Sequence, residues 1–510
     1  MLVRDLRRGT VELASPSIQG GASYSLTGSI SADGRYVVFE TEAPNIVPGD
    51  TNFSVDVFVY DRETDTVERV SVDSFGAEAW WDSYGAAISG DGRVVAFRSM
   101  ASNLVPNDTN GAEDVFAHDM TSGATWRVSV TSGGMEGHSL CVQIPCHFWW
   151  PIDISYDGRV IAFSSWMHDL VPNDTNGEFD VFVRDENLGT TTLASVSSSG
   201  VQGNWLSTQV SLSGDGNLVA FTSGSTNLIN GDANNDYDVF LHDRTTGVTS
   251  LVNVDPSGQQ TPRGAGYPSM SRNGRYVSFG SWDSTLVPND TNNGFDIFVR
   301  DVTLGTTRRA TLGIGGQQVT GLNAPEEWAV GEDGAVVFSI QRDGWVVGDN
   351  AIGGVNDWET LISLPSLPSS SLLGYCTAKT NSVNCMPRIS VCGAPLLSGD
   401  LLFSIIAVKA RSHEPGMLLW SLQPFALPFG GGTLCVAAPR SRTPIQDSGG
   451  LSTAIDCTGT YSFPMSSSYM TNHGLVAGTT VYAQYFSRDS GFAPPNDVGL
   501  TDGLQFVVLP

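Results

Sequence analysis

Five times along this chain of 510 residues, carboxylate and amide oxygens recur in the pattern Asp-x-Asn-x-x-x-Asp: Asp50/Asn52/Asp56, Asp108/Asn110/Asp114, Asp174/Asn176/Asp180, Asp232/Asn234/Asp238 and Asp290/Asn292/Asp296. Oxygens at positions one, three and seven of a turn are hard ligands. They can converge on calcium, with carbonyls and water completing the roughly six to eight contacts that ion takes. The same side chains can instead cap their own backbone as Asx-turns and need no ion. The spacing falls short of a full Asp-x-Asp-x-Asp-Gly loop, and Asn at the third position lowers the charge. Both readings stand, a weakly held calcium and a plain turn.

Aromatic rings form the second candidate set. Trp80 and Trp81, Trp149 and Trp150, Trp205, and Tyr267 precede the first strand of successive repeat units. Rings gathered there could stack on a sugar or grip a peptide, and the bland alternative is packing between neighbouring units. Catalytic patterns are scarce. There is no Gly-x-Ser-x-Gly elbow, no His-Glu-x-x-His and no P-loop. Asp447-Ser-Gly-Gly450 lacks the upstream Ala-His-Cys that a chymotrypsin-like nucleophile would need. His118 and His242 share one repeat position with Arg184, Arg300 and Tyr60, a variation that reads as strand surface.

These residues are positioned by a tandem repeat. The leading aspartates lie 58, 66, 58 and 58 residues apart, so one supersecondary unit is copied along the chain. Each unit reads as four short strands. The first ends at a Ser-x-Asp/Asn-Gly turn. The second is rich in β-formers (Val94-Val-Ala-Phe97, Val160-Ile-Ala-Phe163), the third follows the Asp/Asn loop (Asp180-Val-Phe-Val-Arg-Asp185), and a Thr/Gly turn leads to the fourth. Helical periodicity is absent. Four antiparallel strands per unit point to an all-β fold, a β-propeller.

The Ser-x-Asp-Gly-Arg-x-Val-x-Phe runs at Ser31, Ser89 and Ser155 and their successors resemble the PD40, or TolB-like, subtype of WD40-like repeat. That resemblance implies a propeller over residues 1–363 and says little about activity. An eroded sixth unit follows at Glu332-Asp-Gly-Ala-Val-Val-Phe338, with Asp349 and Asp357 at the loop positions and Trp358–Ser363 as its third strand. Its missing fourth strand is expected from Thr10–Ser15, which would close six blades. Leu2–Ser15 matches Phe182–Ser195 without a gap, so the sequence begins inside a repeat. Either this orphan half closes the ring or upstream sequence, with an export signal, precedes it.

Residues 364–371 read as a Pro/Ser linker and 372–510 as a small β-sandwich-like domain holding five of the seven cysteines. Its Gly432-Thr-Leu-Cys435, Gly478–Asp489 and Gly491–Asn496 stretches resemble a C-terminal domain of large exported bacterial proteins. Local disulfides are expected at Cys376–Cys385, Cys435–Cys457 and Cys141–Cys146, leaving Cys392 over, which implies an extracytoplasmic compartment. The alternative is a set of buried thiols.

Composition excludes some partners. A formal charge of −27, with Lys379 and Lys409 the only lysines, repels nucleic acid and anionic lipid. No run is long and apolar enough for a membrane helix. The reading that results is an exported, non-enzymatic propeller that binds a protein, peptide or glycan at an aromatic-lined face. The competing class is a propeller polysaccharide lyase or glycosidase.

Overall fold

The computed structural model describes residues 2–5, 10–14, 28–138, 150–312, 318, 328–341, 358–363, 372–375, 378–383, 387–392, 403–430, 432–449, 459–494, 496–501 and 503–508. The chain divides into two compact units, 1–312 with 318–363, and 313–317 with 364–510.

In the first unit, residues 28–69, 83–127, 153–193, 207–251 and 265–309 each fold into a four-stranded antiparallel meander, here sheets one to five. Residues 328–363 supply three described strands, sheet six. The turns after the first strands need a left-handed residue, supplied for example by Gly92 at φ +75°. Ser89 Oγ donates to Asp91 Oδ1 at 2.6 Å and accepts from Val94 N–H at 3.0 Å, which fixes that turn.

Strands two and three of each complete sheet pair Phe opposite Phe, as in Phe97↔Phe116 and Phe163↔Phe182. All five pairs are buried and stacked, with centroids 5.5 to 6.0 Å apart. Each ring is worth about 1.5–3 kcal/mol in burial. From sheet two onward each pair packs on the sheet before it: Phe97 and Phe116 join Val38, Val57 and Val59 of sheet one, and Phe163 and Phe182 join Ala96, Val115 and Ala117 of sheet two. The core therefore lies between successive sheets, as in a propeller.

Backbone bonds at the first turns carry the same order around an axis. Ala32 N–H donates to Gly90 O (2.9 Å), Asp91 to Tyr156 O (2.9 Å), Tyr156 to Gly214 O (2.7 Å) and Gly214 to Arg272 O (2.6 Å). Asn273 Nδ2 continues to Glu332 O at 2.9 Å, and Arg272 Nη2 reaches back to Ile30 O at 3.4 Å.

One expectation is corrected. Thr10–Leu13 pairs with Leu2–Asp5 in a two-stranded antiparallel sheet, and among the described strands Trp358–Ser363 pairs only with Val336–Gln341. The physical reason is that Leu2–Asp5 repeats a third strand, so Thr10–Leu13 already has its own third-strand neighbour, close in sequence and cheap to reach. The hairpin is used otherwise. Ala14 and Val3 pack with Phe39 and Phe58, covering the face of sheet one where the other sheets have a preceding sheet.

In the second unit Leu372–Tyr375 pairs with Gly503–Val507 in a seven-stranded sheet. A three-stranded sheet of Arg388–Cys392, Ser404–Ala410 and Gly459–Pro464 packs on it. Ile405, Ala407 and Tyr461 from one layer meet Leu418, Val481, Tyr485 and Phe506 from the other in a shared core. The helix Ser467–Asn472 adds Met470 to that core. No described helix is long and apolar enough to cross a membrane.

Candidate functional site

The first strands of all six sheets line one axial cavity of 690 Å³, to which sheet three gives Trp150 and Asp153, sheet four Gln209 and Ser211, sheet five Tyr267 and Ser269, and sheet six Trp328. Towards the turns the axis narrows. Tyr156 and Arg272 lie so close over Gly90 that a Cβ at Gly90 would overlap both.

The rim of this cavity is built from β-bulges. The first strands of sheets two, four and five each slip register, between Tyr84/Ala87, Thr208/Ser211 and Gly266/Ser269. The bulged residues are Gly85, Gln209 and Tyr267, at φ +63°, +55° and +57°. Glycine takes this conformation freely, whereas Gln and Tyr are strained by about 1–2 kcal/mol each. The strain is held by bonds: Tyr267 N–H donates to Gln209 Oε1 (3.0 Å) and Thr222 Oγ1 (3.2 Å). Strained bulges that re-aim side chains at a cavity mark functional positions.

The aromatic neighbours are interlocked. Tyr267 packs edge-on to Trp328 at 6.0 Å, and Trp328 meets Phe295, which in turn meets Trp282 at 5.6 Å. Gly280 permits this, since a Cβ there would overlap Phe295 and Trp328. Trp150 contacts Phe179 edge-on at 4.6 Å, and its carbonyl accepts from Arg98 Nε at 3.1 Å. Buried Arg98 also donates to Glu113 (2.8 Å) and Ser164 O (2.9 Å), so it ties sheet two to sheet three and fixes Trp150. The indole N–H of Trp328 is a buried donor without a partner among the described residues.

Below the rings runs a circumferential set of bonds. Ser29 accepts from Ile88 N–H (3.4 Å), Asp153 from Leu212 N–H (2.7 Å), Ser211 from Met270 N–H (3.0 Å) and Ser269 from Val330 N–H (3.4 Å). Ala87 leaves a gap in the series. Among the described residues Asp153 is the one carboxylate lining the cavity. Its oxygens accept from Ile154 N–H, Leu212 N–H and Ser211 Oγ, while burial raises its pKa above the usual carboxylate range. A carboxylate so engaged serves the wall.

A second cavity of 620 Å³ adjoins the first through Trp150, Gln209 and Tyr267, and adds Asp236, Tyr237, Arg263, Trp282 and Phe295. Of the six aromatics expected at the site, Trp150 and Tyr267 are brought together. Tyr267 lies in the strand Ala265–Met270 and not in the loop before it. Trp205 stands apart with Tyr237 in a separate recess. Trp80 and Trp81 are 65% and 63% exposed and line neither cavity. Trp149 lies outside the described residues.

The residues missed by sequence reasoning are Trp328, Gln209, Trp282 and Phe295. A signal existed for Phe295: with Phe179 and Tyr237 it directly precedes the third-strand Asp in three successive repeats.

The Asp/Asn loops form the same device five times, between the second and third strands of each complete sheet. Each asparagine turns its amide N–H, not its oxygen, towards the second aspartate of its set. Asn52 Nδ2 donates to Asp56 at 3.2 Å, Asn110 to Asp114 at 3.0 Å, Asn176 to Asp180 at 2.8 Å, Asn234 to Asp238 at 3.0 Å and Asn292 to Asp296 at 2.8 Å. Each Oδ1 closes an Asx-turn by accepting a backbone N–H two residues on. Asn52 takes that of Ser54 (3.0 Å), Asn110 of Ala112 (2.9 Å), Asn176 of Glu178 (2.9 Å), Asn234 of Asp236 (3.0 Å) and Asn292 of Gly294 (3.0 Å).

The expected ligand set of one oxygen from each of Asp, Asn and Asp is therefore corrected at its middle member. In this geometry Asn52, Asn110, Asn176, Asn234 and Asn292 present a donor to the carboxylate, and a donor repels a cation. The cause is local: the turn claims the oxygen, and the buried carboxylate claims the hydrogen.

Asp56, Asp114, Asp180, Asp238 and Asp296 are fully buried. Desolvation is the largest cause acting on all of them. It raises Asp56, Asp180 and Asp238 to about 6 and Asp114 to about 7, and lifts Asp296 above the usual carboxylate range.

What balances them differs by sheet. Arg69 lies 3.7, 3.3 and 2.7 Å from Asp50, Asp56 and Glu78. Arg127 lies 3.2, 3.6 and 2.5 Å from Asp108, Asp114 and Glu136, and Arg309 lies 2.9 and 3.4 Å from Asp290 and Asp296. Where sheets three and four have Leu193 and Leu251 instead, a neutral amide bridges the pair. Gln202 Nε2 donates to Asp174 and Asp180, both at 2.7 Å, and Gln260 to Asp232 and Asp238 at 2.7 and 2.8 Å. Asp50, Asp56 and Glu78 lie close enough to share a cation, but the Arg69 guanidinium is already among them.

Cys435 is disulfide-bonded. Cys457, Cys376, Cys385, Cys141 and Cys146 lie outside the described residues, as do Asp349 and Asp357.

No protein-family model matches the sequence, and no curated protein matches it. Similar solved structures include a putative TolB from Agrobacterium tumefaciens, at 15% identity and TM-score 0.36, covering 60% of this chain and 86% of that one. The RRP9 WD40 repeats align at 10% identity and TM-score 0.38 over 71% and 88% of the two chains. The GH74 xyloglucanase from Xanthomonas campestris aligns at 10% and 0.35 over 74% and 50%.

Proposed function

We propose that this chain is an exported, non-enzymatic binding propeller whose ligand, a peptide, a protein segment or a glycan, enters the axial cavity from its aromatic rim. The observation that supports it most is the pair of strained bulge residues, Gln209 and Tyr267, whose side chains both line that cavity. Strain at two neighbouring positions is retained at a cost in stability, and a pocket of mainly apolar walls with few polar groups suits recognition. The disulfide at Cys435 supports an oxidising compartment.

Panels of peptides and oligosaccharides, read by calorimetry against Tyr267→Ala and Trp328→Ala, test the reading. Binding that both substitutions abolish without lowering the melting temperature much is the expected result. Turnover of a polysaccharide that survives both substitutions would replace it with the enzyme reading.

The calcium reading narrows to the aspartates of two of the five loops. A divalent ion at the Asp50, Asp108 or Asp290 loops would have to displace a guanidinium, whereas at Asp174/Asp180 and Asp232/Asp238 it would displace only a neutral amide. Calcium titration of the wild type against the Asp174→Asn/Asp232→Asn double variant decides it. Equal heats in the two proteins would overturn the assignment.

A further inference from the structure

The cavity between sheets four and five holds one cation that has no partner among the described residues. Of the described arginines in the sheets, fourteen of the fifteen pair with a carboxylate or donate to a backbone or side-chain oxygen: Arg35 to Asp61, Arg98 to Glu113, Arg244 to Asp185 and Arg275 to Asp301 are examples. Arg263 is the exception: its side chain is exposed, lines the cavity, and is met by none of them. That is unusual in a chain of −27 charge, where carboxylates outnumber cations about two to one. Asp236 shares the cavity, yet its two oxygens accept from Tyr237 N–H (2.9 Å) and Gly264 N–H (3.0 Å). Arg263 occupies the repeat position held by Trp81 and Trp205 in sheets two and four, so the cation stands where other units present a ring.

A second set of unused donors lines the same cavity. The Gln209 side chain accepts from Tyr267 through Oε1, which leaves the two N–H groups of Nε2 without a partner among the described residues, on the wall common to both cavities. The aromatic part of the wall is Trp150, Tyr237, Tyr267, Trp282 and Phe295. A free guanidinium plus amide donors call for an anion with two acceptor oxygens, and the rings call for an apolar body attached to it.

We propose, on the reading of the axial cavity as a ligand site, that this cavity captures the C-terminal carboxylate of a peptide whose last side chains are apolar or aromatic. The ratio of charge to apolar wall decides the class. One cation serves a large volume with few polar groups. A polypeptide end carries one carboxylate, whereas an acidic oligosaccharide carries one on each sugar together with hydroxyls that these walls would leave unpaired.

The probes are N-acetyl-Gly-Leu-Phe with a free C-terminal carboxylate, the same peptide as its C-terminal amide, and trigalacturonate, each titrated into the full chain and into Arg263→Gln and Tyr267→Ala. The free acid is expected to bind about tenfold tighter than the amide. Arg263→Gln should erase that difference, and Tyr267→Ala should weaken both peptides. Equal binding of acid and amide by the wild type overturns the carboxylate assignment while leaving the cavity a peptide site. Binding of trigalacturonate in an Arg263-dependent way, tighter than either peptide, replaces the peptide with an acidic glycan. No binding of any probe overturns the inference and leaves the broader cavity reading to its own panel.

Discussion

The Asp/Asn loops and the axial rim are built on the same repeat and treat it in opposite ways. In the loops Asp, Asn and Asp return at identical spacing in all five complete sheets, each set facing an arginine or a glutamine. At the rim the equivalent first-strand position is Gly85, Pro151, Gln209 and Tyr267 in successive sheets. Sameness, with each buried carboxylate facing a guanidinium or an amide, suits a part that holds the blade together. Difference and strain on an identical frame set the rim apart as the proposed ligand site.

The comparison breaks if the loops prove dispensable. Asp114→Ala removes a buried carboxylate that receives bonds from Ser129 and Asn110 and faces Arg127. A loss of about 3–5 kcal/mol is expected, because Ser129 Oγ and Asn110 Nδ2 both lose their acceptor and a cavity is left, while Arg127 keeps Asp108 and Glu136. Denaturant unfolding measures it, and a loss below about 1 kcal/mol, the range of a surface substitution, would contradict the structural role.

A gentler experiment converts one loop into its neighbour's version. Arg127→Leu alone leaves Asp108, Asp114 and Glu136 facing one another and should cost on the order of 3 kcal/mol. Adding Glu136→Gln reproduces the arrangement of sheets three and four, and most of the loss should return. The double-mutant cycle reads this coupling, and simple additivity would show that the two loop versions are not interchangeable.

Protonation sharpens the same contrast. Asp56, Asp114, Asp180 and Asp238 have folded values raised above the usual 3.8, to about 6 or 7, mainly by burial. The folded state therefore holds more protons than the unfolded chain between about pH 4 and 7. The stability they contribute is present below that window and is lost as pH rises through the folded values. Asp33, Asp61, Asp215, Asp243 and Asp301 are lowered, so their contribution is lost only as pH falls below the usual carboxylate range. Melting temperature is expected to rise from about pH 8 to about pH 5 and fall again under stronger acid. A monotonic decline on acidification from the start would show that the buried aspartates stay ionised in the folded protein.

The smallest effect on stability belongs to the rim. Tyr267→Gly relieves a left-handed Tyr while losing its contact with Trp328, so the net change should lie within about 1 kcal/mol of zero. Ligand affinity, in contrast, should fall. A strong destabilisation with unchanged binding would reverse the roles assigned to loop and rim.

Much of the frame was legible because it repeats. The period of 58, the Asp-Gly turns and the β-rich second and third strands sufficed for the meanders, while the Phe pairs across strands two and three emerged only with the register. The N-terminal hairpin was half legible. Its match to residues 182–195 located the right two strand types, but pairing was assigned to the distant Trp358–Ser363 when the local hairpin supplies the shorter loop. In the loops the spacing of Asn52, Asn176, Asn234 and Asn292 was plain, while the direction in which each amide points was not. The site was less legible still. Trp80, Trp81 and Trp205 carry the same residue type as Trp150 and stand outside the cavity, while Trp328 and Gln209 carried no sequence mark at all.

What the sequence by itself determined is therefore the blade: local turns, strand periods and the Asp/Asn/Asp device are short-range properties, each set within one repeat. Only the tertiary structure decided which side chains share a cavity, because that depends on bulges that shift a strand by one register step and turn Gln209 and Tyr267 to the axis. It depends as well on residues from six sheets, hundreds of positions apart, arriving at the same few ångströms of space.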